Sequence, residues 1–308
     1  MQNGASMKIL YVGNHNQPNS NDDEGAIAYS LGKVLGHAVV TAGEDIPQEQ
    51  ILSLAGQFDL VLFHKWADFD TIAKIKTRKA FWYFDLVDYD DPEILHRCRL
   101  RMAWMDRMMP LVDIGFCTDG DWVRANACHG KLVRLTQGAD ERFTGLRLTN
   151  SLKRKILFTG IKDGGVGRRE FVDFLKATYG PALRWIRNGT HQESLAQEIA
   201  DASIVAAPDH PTTDDYWSNR VYLTLGFGGF LMHPYCGTLA NHYVDGKEIV
   251  LYRGHDDFKN KASHYMGQPE LREAIAKAGL RRTLKEHTYT HRCQTLIEMV
   301  QNAKTYNG

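Results

Sequence analysis

The first half of the chain alternates short apolar runs with stretches in which apolar residues recur at helical spacing. Six runs predict strands: Lys8–Val12, His37–Thr41, Asp59–His64, Lys79–Asp85, Asp113–Thr118 and Lys131–Leu135. The segments between them predict helices, including Ala26–Leu35 and Pro92–Met109, where Pro92 suits the first helical turn. Near-continuous β-branched and aromatic strands separated by helices are typical of a parallel sheet covered on both faces, so we predict a Rossmann-like domain.

The alternation breaks at the polar segment Ala139–Arg154, which we predict to be a linker, and then restarts. Five further strands are predicted, at Lys155–Gly160, Leu183–Ile186, Ser203–Pro208, Gly228–Pro234 and Glu248–Tyr252. Helices are predicted at Arg168–Tyr179, Pro269–Ala278 and Leu280–Ala303. We therefore predict an α/β protein of two Rossmann-like lobes, residues 1–145 and 146–308, with C-terminal helices packing back across the lobes. The carboxyl ends of two facing sheets would form a ligand cleft.

Composition narrows the class of protein. Lys and Arg number 37 and Asp and Glu number 37, so no overall charge favours nucleic acid or an acidic membrane surface. Five scattered cysteines form no CxxC pair and indicate reduced thiols: Cys98, Cys117, Cys128, Cys236 and Cys293. No apolar run approaches the ~18 residues of a membrane helix. We expect a soluble cytoplasmic protein that does not contact a membrane.

A glycine-rich turn follows the first strand of the second half. The strand ends at Gly160, the turn is Asp163–Gly167, and the next predicted helix opens with Arg168. Glycines let backbone N–H groups approach an anion, and a helix N-terminus adds its positive end. Lys162 and Arg168 could neutralise a diphosphate there. The spacing matches neither the P-loop nor the dinucleotide fingerprint, and a turn that binds nothing is the alternative.

A second polar cluster precedes the predicted strand Gly228–Pro234. Ser218, Asn219 and Arg220 stand at a predicted helix start. An arginine in the first turn opposes the helix macrodipole, which favours anions there. Such an arginine serves a ligand phosphate, or it forms a surface ion pair with Asp214 or Asp215; the sequence leaves both open.

From this point the sequence resembles a known family. The matching pieces, in order, are NR-x-Y (Asn219–Tyr222), a segment ending in DGKEIVLY, a DDF segment, ELR-x-x-IA-x-x-G and HTYTHR (His287–Arg292). Together they resemble the C-terminal lobe of GT-B glycosyltransferases, most of all the spore-maturation-protein-type group, also called glycosyl transferases group 1. The N-terminal half resembles, more faintly, small phage-type glycosyltransferases that modify hydroxymethylated DNA bases.

The resemblance implies a nucleotide-sugar donor, UDP-linked, in the C-terminal lobe and a hydroxyl acceptor in the N-terminal lobe, with no essential metal or other cofactor. The implied donor residues are Gly160, Lys162 and Arg168 near the diphosphate, Asn219, Arg220 and Tyr222 beside the nucleotide, and backbone N–H groups of Gly237, Thr238, Leu239 and Ala240.

One position departs from the family pattern. The family often has Glu directly after the aromatic residue of the NR motif, where a carboxylate accepts hydrogen bonds from ribose hydroxyls; here that residue is Leu223. Ribose contacts would then come from Asp209, Asp214 or Asp215, the donor would differ, or catalysis would be lost.

Four residues at predicted strand ends are candidates for a catalytic base: Asp85, Glu24, His15 and His64. Asp85 is the first choice, because a carboxylate after three aromatic residues would be partly desolvated and more basic. The neighbouring Asp22 and Asp23 are predicted to be solvated loop charges or helix caps. No protein base is needed if the leaving phosphate takes the acceptor proton, as in a retaining enzyme.

The acceptor is less well defined. Basic and aromatic residues are interleaved in the N-terminal half: Lys65–Trp66, Lys74, Lys76, Arg78, Lys79, Phe81–Tyr83, Arg97, Arg99, Arg101 and Arg107. Such a pattern suits double-stranded DNA with an extruded base, and a solvated basic helix face is the alternative. A glycan or small metabolite is the other acceptor class. A nucleotide-sugar epimerase and a non-catalytic nucleotide-sugar binder remain alternative functions.

His287 and His291 could share a helix face as metal ligands, although we predict no metal site and interpret HTYTHR as packing residues.

Overall fold

The computed structural model describes residues 6–15, 22–126, 130–144, 156–187, 192–207 and 213–303. Two parallel sheets form its framework. The strands of the first are β1 (Lys8–Val12), β2 (Ala38–Ala42), β3 (Leu60–Phe63), β4 (Lys79–Tyr83), β5 (Ile114–Cys117) and β6 (Leu132–Arg134), in the order β2-β1-β3-β4-β5-β6. Those of the second are β7 (Ile156–Thr159), β8 (Leu183–Ile186), β9 (Ile204–Ala206), β10 (Leu231–Pro234) and β11 (Val250–Tyr252), in the order β11-β10-β9-β7-β8.

Helices separate nearly all consecutive strands. They are α1 (Asp23–Tyr29), α2 (Gln48–Ala55), α3 (Phe69–Lys74), α4 (Leu95–Met108), α5 (Gly120–Ala125), α6 (Val166–Tyr179), α7 (Gln192–Asp201), α8 (Arg220–Gly226), α9 (Leu239–His242), α10 (Gly254–Met266), α11 (Pro269–Glu286) and α12 (Tyr289–Asn302). A π-helical turn, Ser30–Val34, extends α1. The predicted two-lobed Rossmann-like fold is confirmed.

The strands are buried on both faces, which explains their continuous apolar sequences. β3 and β5 are buried at every position, and along β1 alternate residues enter two cores: Ile9 and Tyr11 on one face, Leu10 and Val12 on the other. Helices cover both faces, so neither face of a central strand meets water. Two further cores flank the second sheet in the same way.

The last helix crosses between the lobes, as predicted. α12 packs Cys293, Leu296 and Val300 into the core that holds Ile9 and Tyr11 of the first sheet. The chain enters this helix through a short parallel bridge: the Ala139 N–H donates to the His287 carbonyl (2.8 Å), and the Tyr289 N–H donates to the Ala139 carbonyl (2.9 Å). The start of the predicted linker is therefore fixed against the C-terminal helices, while residues 145–154 lie outside the described part of the chain.

Two predicted helix boundaries are wrong. Pro92 lies outside α4, which begins at Leu95 after a turn. The break predicted at Gly279 does not occur, because α11 runs through it to Glu286 and the chain breaks at His287–Thr288 instead. Thr288 then caps α12, and its own N–H donates to Nδ1 of His291 (3.3 Å). The two histidines therefore do not share a helix face as metal ligands.

Gly279 is needed for packing and not for a turn. A methyl group there would overlap the backbone carbonyl of Glu248 and press on Leu225. We expect Gly279→Ala to lower the free energy of unfolding by about 1–3 kcal/mol, the usual cost of overpacking, despite alanine's higher helix propensity. Gly56→Ala is the matched control, because nothing lies within 4 Å of its added methyl group. Equal melting temperatures for the two variants would contradict this assignment.

The strand orders define one crevice in each lobe. In the first sheet the chain passes from β1 to β2 on one side and then to β3 on the other; in the second it passes from β7 to β8 and then to β9. Loops that leave β1 and β3, or β7 and β9, therefore run apart at the carboxyl end of the sheet. Ligands of open α/β sheets bind at these points.

Candidate active site between the lobes

Three of the four predicted base candidates gather around Gly13, the residue after β1. A side chain at Gly13 would lie 3.3 Å from Cγ of Glu24 and 3.5 Å from both Nε2 of His15 and Cβ of His64. Glu24 belongs to the first turn of α1, and His64 directly follows β3. The crevice between β1 and β3 thus places a carboxylate and two imidazoles together.

His64 is held as a neutral imidazole. Its Nδ1 lies 3.0 Å from the Trp82 carbonyl, which requires a proton on that nitrogen and leaves Nε2 as an acceptor. Burial lowers the pKa of His64 to about 3. The free Nε2 lone pair lies 3.6 Å from Oε1 of Glu24. Because the imidazole of His64 is neutral, it adds no charge beside Glu24, whether Glu24 is protonated or ionised.

Glu24 titrates near neutral pH. Burial raises its pKa to about 7, with a further increase from Asp23, while Lys65 and backbone N–H groups oppose the increase. A carboxylate with a pKa close to the working pH is suited to take and return a proton. His15 is also partly buried, and this burial lowers the pKa of its imidazole; its Nε2 lies 3.1 Å from the Tyr11 carbonyl.

Asp85 does not have the predicted chemistry. Burial raises the pKa of Asp85, but Lys65 and Arg101 outweigh burial and hold this pKa below its usual value. The Lys65 ammonium lies 2.6 Å from its carboxylate and the Arg101 guanidinium 3.6 Å. The aromatic residues before Asp85 point into the core and leave the carboxylate beside these cations. Asp85 is therefore a weak base.

Asp23 differs from its neighbour Asp22. Asp22 caps α1, accepting from the Gly25 N–H (3.1 Å), as the sequence predicts. The prediction of a solvated or capping Asp23 is wrong, because its carboxylate is partly buried and accepts from the Tyr289 hydroxyl (2.6 Å) and from Nδ2 of Asn219 (3.2 Å). Nothing in a single sequence indicates these distant partners. The hydrogen bond from Asn219 joins the crevices of the two lobes.

The crevice of the C-terminal lobe brings Gly160 and Arg220 together. Gly160 follows β7 with a φ of 132°, and a side chain there would meet Nη2 of Arg220. The Arg220 guanidinium also lies over the Phe158 ring, 5.9 Å from its centre. Arg220 begins α8 directly after Asn219. A cation thus stands at the carboxyl end of β7, one residue after Asn219, whose side-chain amide donates to Asp23 of the other lobe.

The glycine-rich turn meets the other lobe. The Val166 N–H at the start of α6 donates to the buried carboxylate of Asp91 (3.1 Å), and Arg169 pairs with Glu93. Lys162 instead pairs with Asp173 (2.7 Å) on the outer surface. Arg168 lies against Gly164. An anion supplied by the protein therefore occupies the position where the sequence predicts a donor phosphate.

The remaining predicted donor residues are engaged within the protein. Tyr222 is fully buried; its hydroxyl accepts from Nε1 of Trp217 (3.0 Å) and donates to Oγ1 of Thr136 (3.0 Å). In the segment Gly237–Ala240, the Thr238 N–H donates to the Asp214 carbonyl (3.1 Å), the Ala240 N–H donates to the Cys236 carbonyl (3.1 Å), and Leu239 is a core residue. These groups stabilise the lobe.

The residues proposed for the ribose have other partners. Asp215 is buried and pairs with Arg124 (2.6 Å) and with Arg134, both from the N-terminal lobe. Asp214 offers its backbone carbonyl to Thr238. Leu223 packs against the core of the C-terminal lobe, and Asp209 lies outside the described residues.

The aromatic residues expected to hold an extruded base are unavailable. Trp66 and the segment Phe81–Tyr83 are buried in the cores. Arg78 donates to the Val300 carbonyl (2.8 Å) and Lys79 to the Ile75 carbonyl (2.9 Å). The interleaving of basic and aromatic residues is therefore explained by the buried strand β4 and its contacts with helices. Lys65, Arg97, Arg99 and Arg107 remain exposed.

The described residues show neither a metal centre nor a membrane-spanning helix. The described residues contain no group of three His, Cys, Asp or Glu side chains placed to hold a metal ion. Among the same residues, no helix has the length and apolar character needed to cross a membrane. Four of the five cysteines are described, and all four are buried free thiols: Cys98, Cys117, Cys236 and Cys293.

Comparison with known proteins agrees with this architecture. The sequence model of a family described as glycosyl transferase-like matches residues 168–298. No curated protein matches the chain in sequence. An alpha-glucosyltransferase solved with UDP and a 13-mer DNA containing an HMU base has a TM-score of 0.72 at 7% identity, covering 97% of this chain and 100% of its own.

Two other solved structures extend this likeness. HepE from Anabaena, in complex with UDP and glucose, has a TM-score of 0.64 at 10% identity over 96% of this chain and 100% of its own. Sucrose-phosphate synthase from Thermosynechococcus elongatus has a TM-score of 0.69 at 12% identity over 96% and 98%. Residues 168–298 match the glycosyl transferase-like family, and the whole chain has the two-lobed GT-B fold.

Proposed function

We propose that the protein is a glycosyltransferase that moves a sugar from a UDP-linked donor to a hydroxyl acceptor, with Glu24 taking the acceptor proton. The main support for this proposal is the Asn219–Asp23 hydrogen bond (3.2 Å), because each of these two residues directly precedes a residue with a role in the reaction. Glu24 follows Asp23 in the crevice of the first sheet, and Arg220 follows Asn219 in the crevice of the second. The cleft thus has a base on one wall and a fixed cation on the other.

The chemistry follows from these two walls. The acceptor hydroxyl gives its proton to Glu24 while its oxygen bonds to the anomeric carbon of the sugar. The bond from that carbon to the diphosphate oxygen breaks, and UDP leaves with the electron pair. Arg220 would stabilise the charge that develops on the diphosphate, as a guanidinium can bind phosphate oxygens with two N–H groups. Neutral His64 keeps Glu24 desolvated without adding charge.

For the acceptor, we propose duplex DNA carrying a hydroxymethylated base as the first class to test. Supporting this choice are the neighbour solved with DNA containing an HMU base and the exposed cations Lys65, Arg97 and Arg99 in the N-terminal lobe. The buried aromatic residues favour the second class, a glycan or small metabolite, because no stacking platform is formed by Trp66 or Phe81–Tyr83.

One experiment separates the proposed functions. UDP release is measured from a panel of UDP-sugars, with and without duplex DNA containing hydroxymethylcytosine. Release that rises with the modified DNA supports a DNA-base transferase; release that rises only with a glycan or metabolite supports the second acceptor class. Donor conversion without any acceptor would indicate an epimerase. Absence of both conversion and release, with UDP-sugar still bound, would indicate a non-catalytic binder.

Asp85 provides a further test of the site. We expect Asp85→Asn to leave the pH dependence of turnover unchanged, because Lys65 and Arg101 keep Asp85 ionised throughout the neutral range. The change in the free energy of unfolding should stay within about 1 kcal/mol, as for other half-exposed ion pairs. The measurements are kcat/KM from pH 5 to pH 9 and chemical denaturation. An altered midpoint near pH 7 would return Asp85 to the position of catalytic base.

A further inference from the structure

Asp23 is held by donors from three separate segments of the chain. The Tyr289 hydroxyl (2.6 Å) comes from α12, Nδ2 of Asn219 (3.2 Å) from the start of α8, and Nε2 of Gln137 (3.1 Å) from the segment after β6. The sugar transfer described above uses the Asn219 contact only to place the two walls of the cleft against each other, and it gives Asp23 itself no role. Withdrawing a carboxylate from water costs free energy unless it is paired, and here donors from three distant segments pair this one.

The three donors keep Asp23 ionised at neutral pH. Burial raises the pKa of Asp23 to about 6, and the hydrogen bonds from Tyr289, Asn219 and Gln137 limit that rise. Glu24, the next residue, releases its proton at about pH 7. The three hydrogen bonds donated to Asp23 favour its ionised form, so Asp23 loses its proton before Glu24, and two like charges in one helical turn disfavour ionisation of the second.

We infer that Asp23 is a positioning residue for the transfer: held by Tyr289 and Asn219, its negative charge makes Glu24 a stronger base. This inference rests on the proposed function. The same hydrogen bonds fix the first turn of α1 against the other lobe, so that the carboxylate of Glu24 stays in the crevice beside Gly13. Because Asn219 precedes Arg220, the base becomes strong when the two walls of the cleft are in contact.

Other charged and titratable groups also face Glu24. They are Tyr11 on β1, His15 after β1, His64 and Lys65 after β3, and Tyr289 on α12. Asp22, the N-cap of α1, stands two positions before Glu24. Asp22 is paired with Arg142 (2.9 Å). Burial lowers the pKa values of both histidines and raises those of both tyrosines, so all four are neutral near pH 7. Lys65 and Asp23 thus remain as the main opposing charges on Glu24.

The test is the acid limb of kcat/KM against pH. In the unchanged protein we expect activity to rise with a midpoint near 7. Asp23→Asn removes the neighbouring charge, and we expect its midpoint to fall by about one pH unit, with kcat on the alkaline plateau reduced less than about tenfold. An unchanged midpoint would overturn the inference, because a role in stability alone does not move a titration.

A second variant keeps the test decisive if Asp23→Asn fails to fold. Tyr289→Phe removes the shortest hydrogen bond to Asp23, so Asp23 ionises at higher pH and is neutral while Glu24 titrates. We expect the midpoint to move in the same acidic direction. Tyr29→Phe is the matched control, since Tyr29 is exposed on the other end of α1, and its midpoint should equal that of the unchanged protein. Equal midpoints for both tyrosine variants would refute the inference.

Glu24→Gln distinguishes failure of this inference from failure of the proposed function. If the acid limb persists in Glu24→Gln, Glu24 is not the base, and both proposals are wrong. If Glu24→Gln removes the limb while Asp23→Asn and Tyr289→Phe leave the midpoint unchanged, the proposed function stands and only the inference about Asp23 is wrong.

Discussion

Glu24→Gln is expected to lower sugar-transfer turnover by about two to four orders of magnitude, the usual contribution of a general base. The amide keeps the size of the side chain but cannot take the acceptor proton. The affinity for UDP should be unchanged, because Glu24 stands on the acceptor wall of the cleft. Steady-state kinetics with calorimetric titration of UDP would check both results.

The same substitution should make the fold more stable at alkaline pH. The pKa of Glu24 is raised by burial from 4.5 to about 7, so between these values the folded chain holds a proton that the unfolded chain has lost. Stability therefore falls as pH rises through this window. We expect Glu24→Gln to gain up to about 3 kcal/mol relative to the unchanged protein between pH 5 and pH 8, as measured by denaturant unfolding.

Glu49→Gln is the control for both measurements, because Glu49 is exposed in the first turn of α2. It should change neither turnover nor the pH dependence of stability. Full turnover in Glu24→Gln would show that another group takes the proton, and the leaving phosphate of a retaining reaction would be the first candidate.

Arg220→Ala is the second large expected effect: loss of donor binding by about 100-fold or more. A guanidinium that binds a diphosphate makes charge-assisted hydrogen bonds, each worth about 1.5–3 kcal/mol. Arg220→Lys should retain part of this affinity, since lysine keeps the charge without the planar fork. Calorimetric titration of UDP measures both variants.

The control for Arg220→Ala is Arg184→Ala, an exposed arginine on β8 whose partner is Glu198 (2.6 Å). UDP affinity should be unchanged in that variant. Full affinity in Arg220→Ala would contradict the placement of the diphosphate at the carboxyl end of β7. The N-terminus of α6 would then be the next candidate, with Asp91 displaced from Val166.

The fold could be predicted because its signals are local. A buried parallel strand requires a continuous apolar run, and each run from Lys8–Val12 to Glu248–Tyr252 contains a strand. The errors arose where a local signal has two physical causes. Gly279 is typical of a helix end, but here the absence of a side chain allows helix α11 to pack closely against the backbone of Glu248. Pro92 is typical of a helix start, but the turn before Leu95 also accommodates a proline.

The site was only partly predictable, because its chemistry depends on distant residues. Their places after predicted strands identified Glu24, His15 and His64 as candidate bases, and the structure brings these three together after β1 and β3. The strength of each acid was not predictable. Lys65 lies 20 positions before Asp85 and lowers its pKa, whereas Tyr289, more than 260 positions after Asp23, provides its shortest hydrogen bond. Composition and spacing contain no information about such pairs.

The position of α12 has a consequence for biosynthesis. Its residues Cys293, Leu296 and Val300 fill the core that also contains Ile9 and Tyr11, which lie on β1 and are translated long before α12. The hydrophobic interior of the N-terminal half is therefore complete only after α12 has been translated. A truncated or stalled product would expose that interior to solvent, so quality control by chaperones and proteases would act on every chain that lacks its last turns.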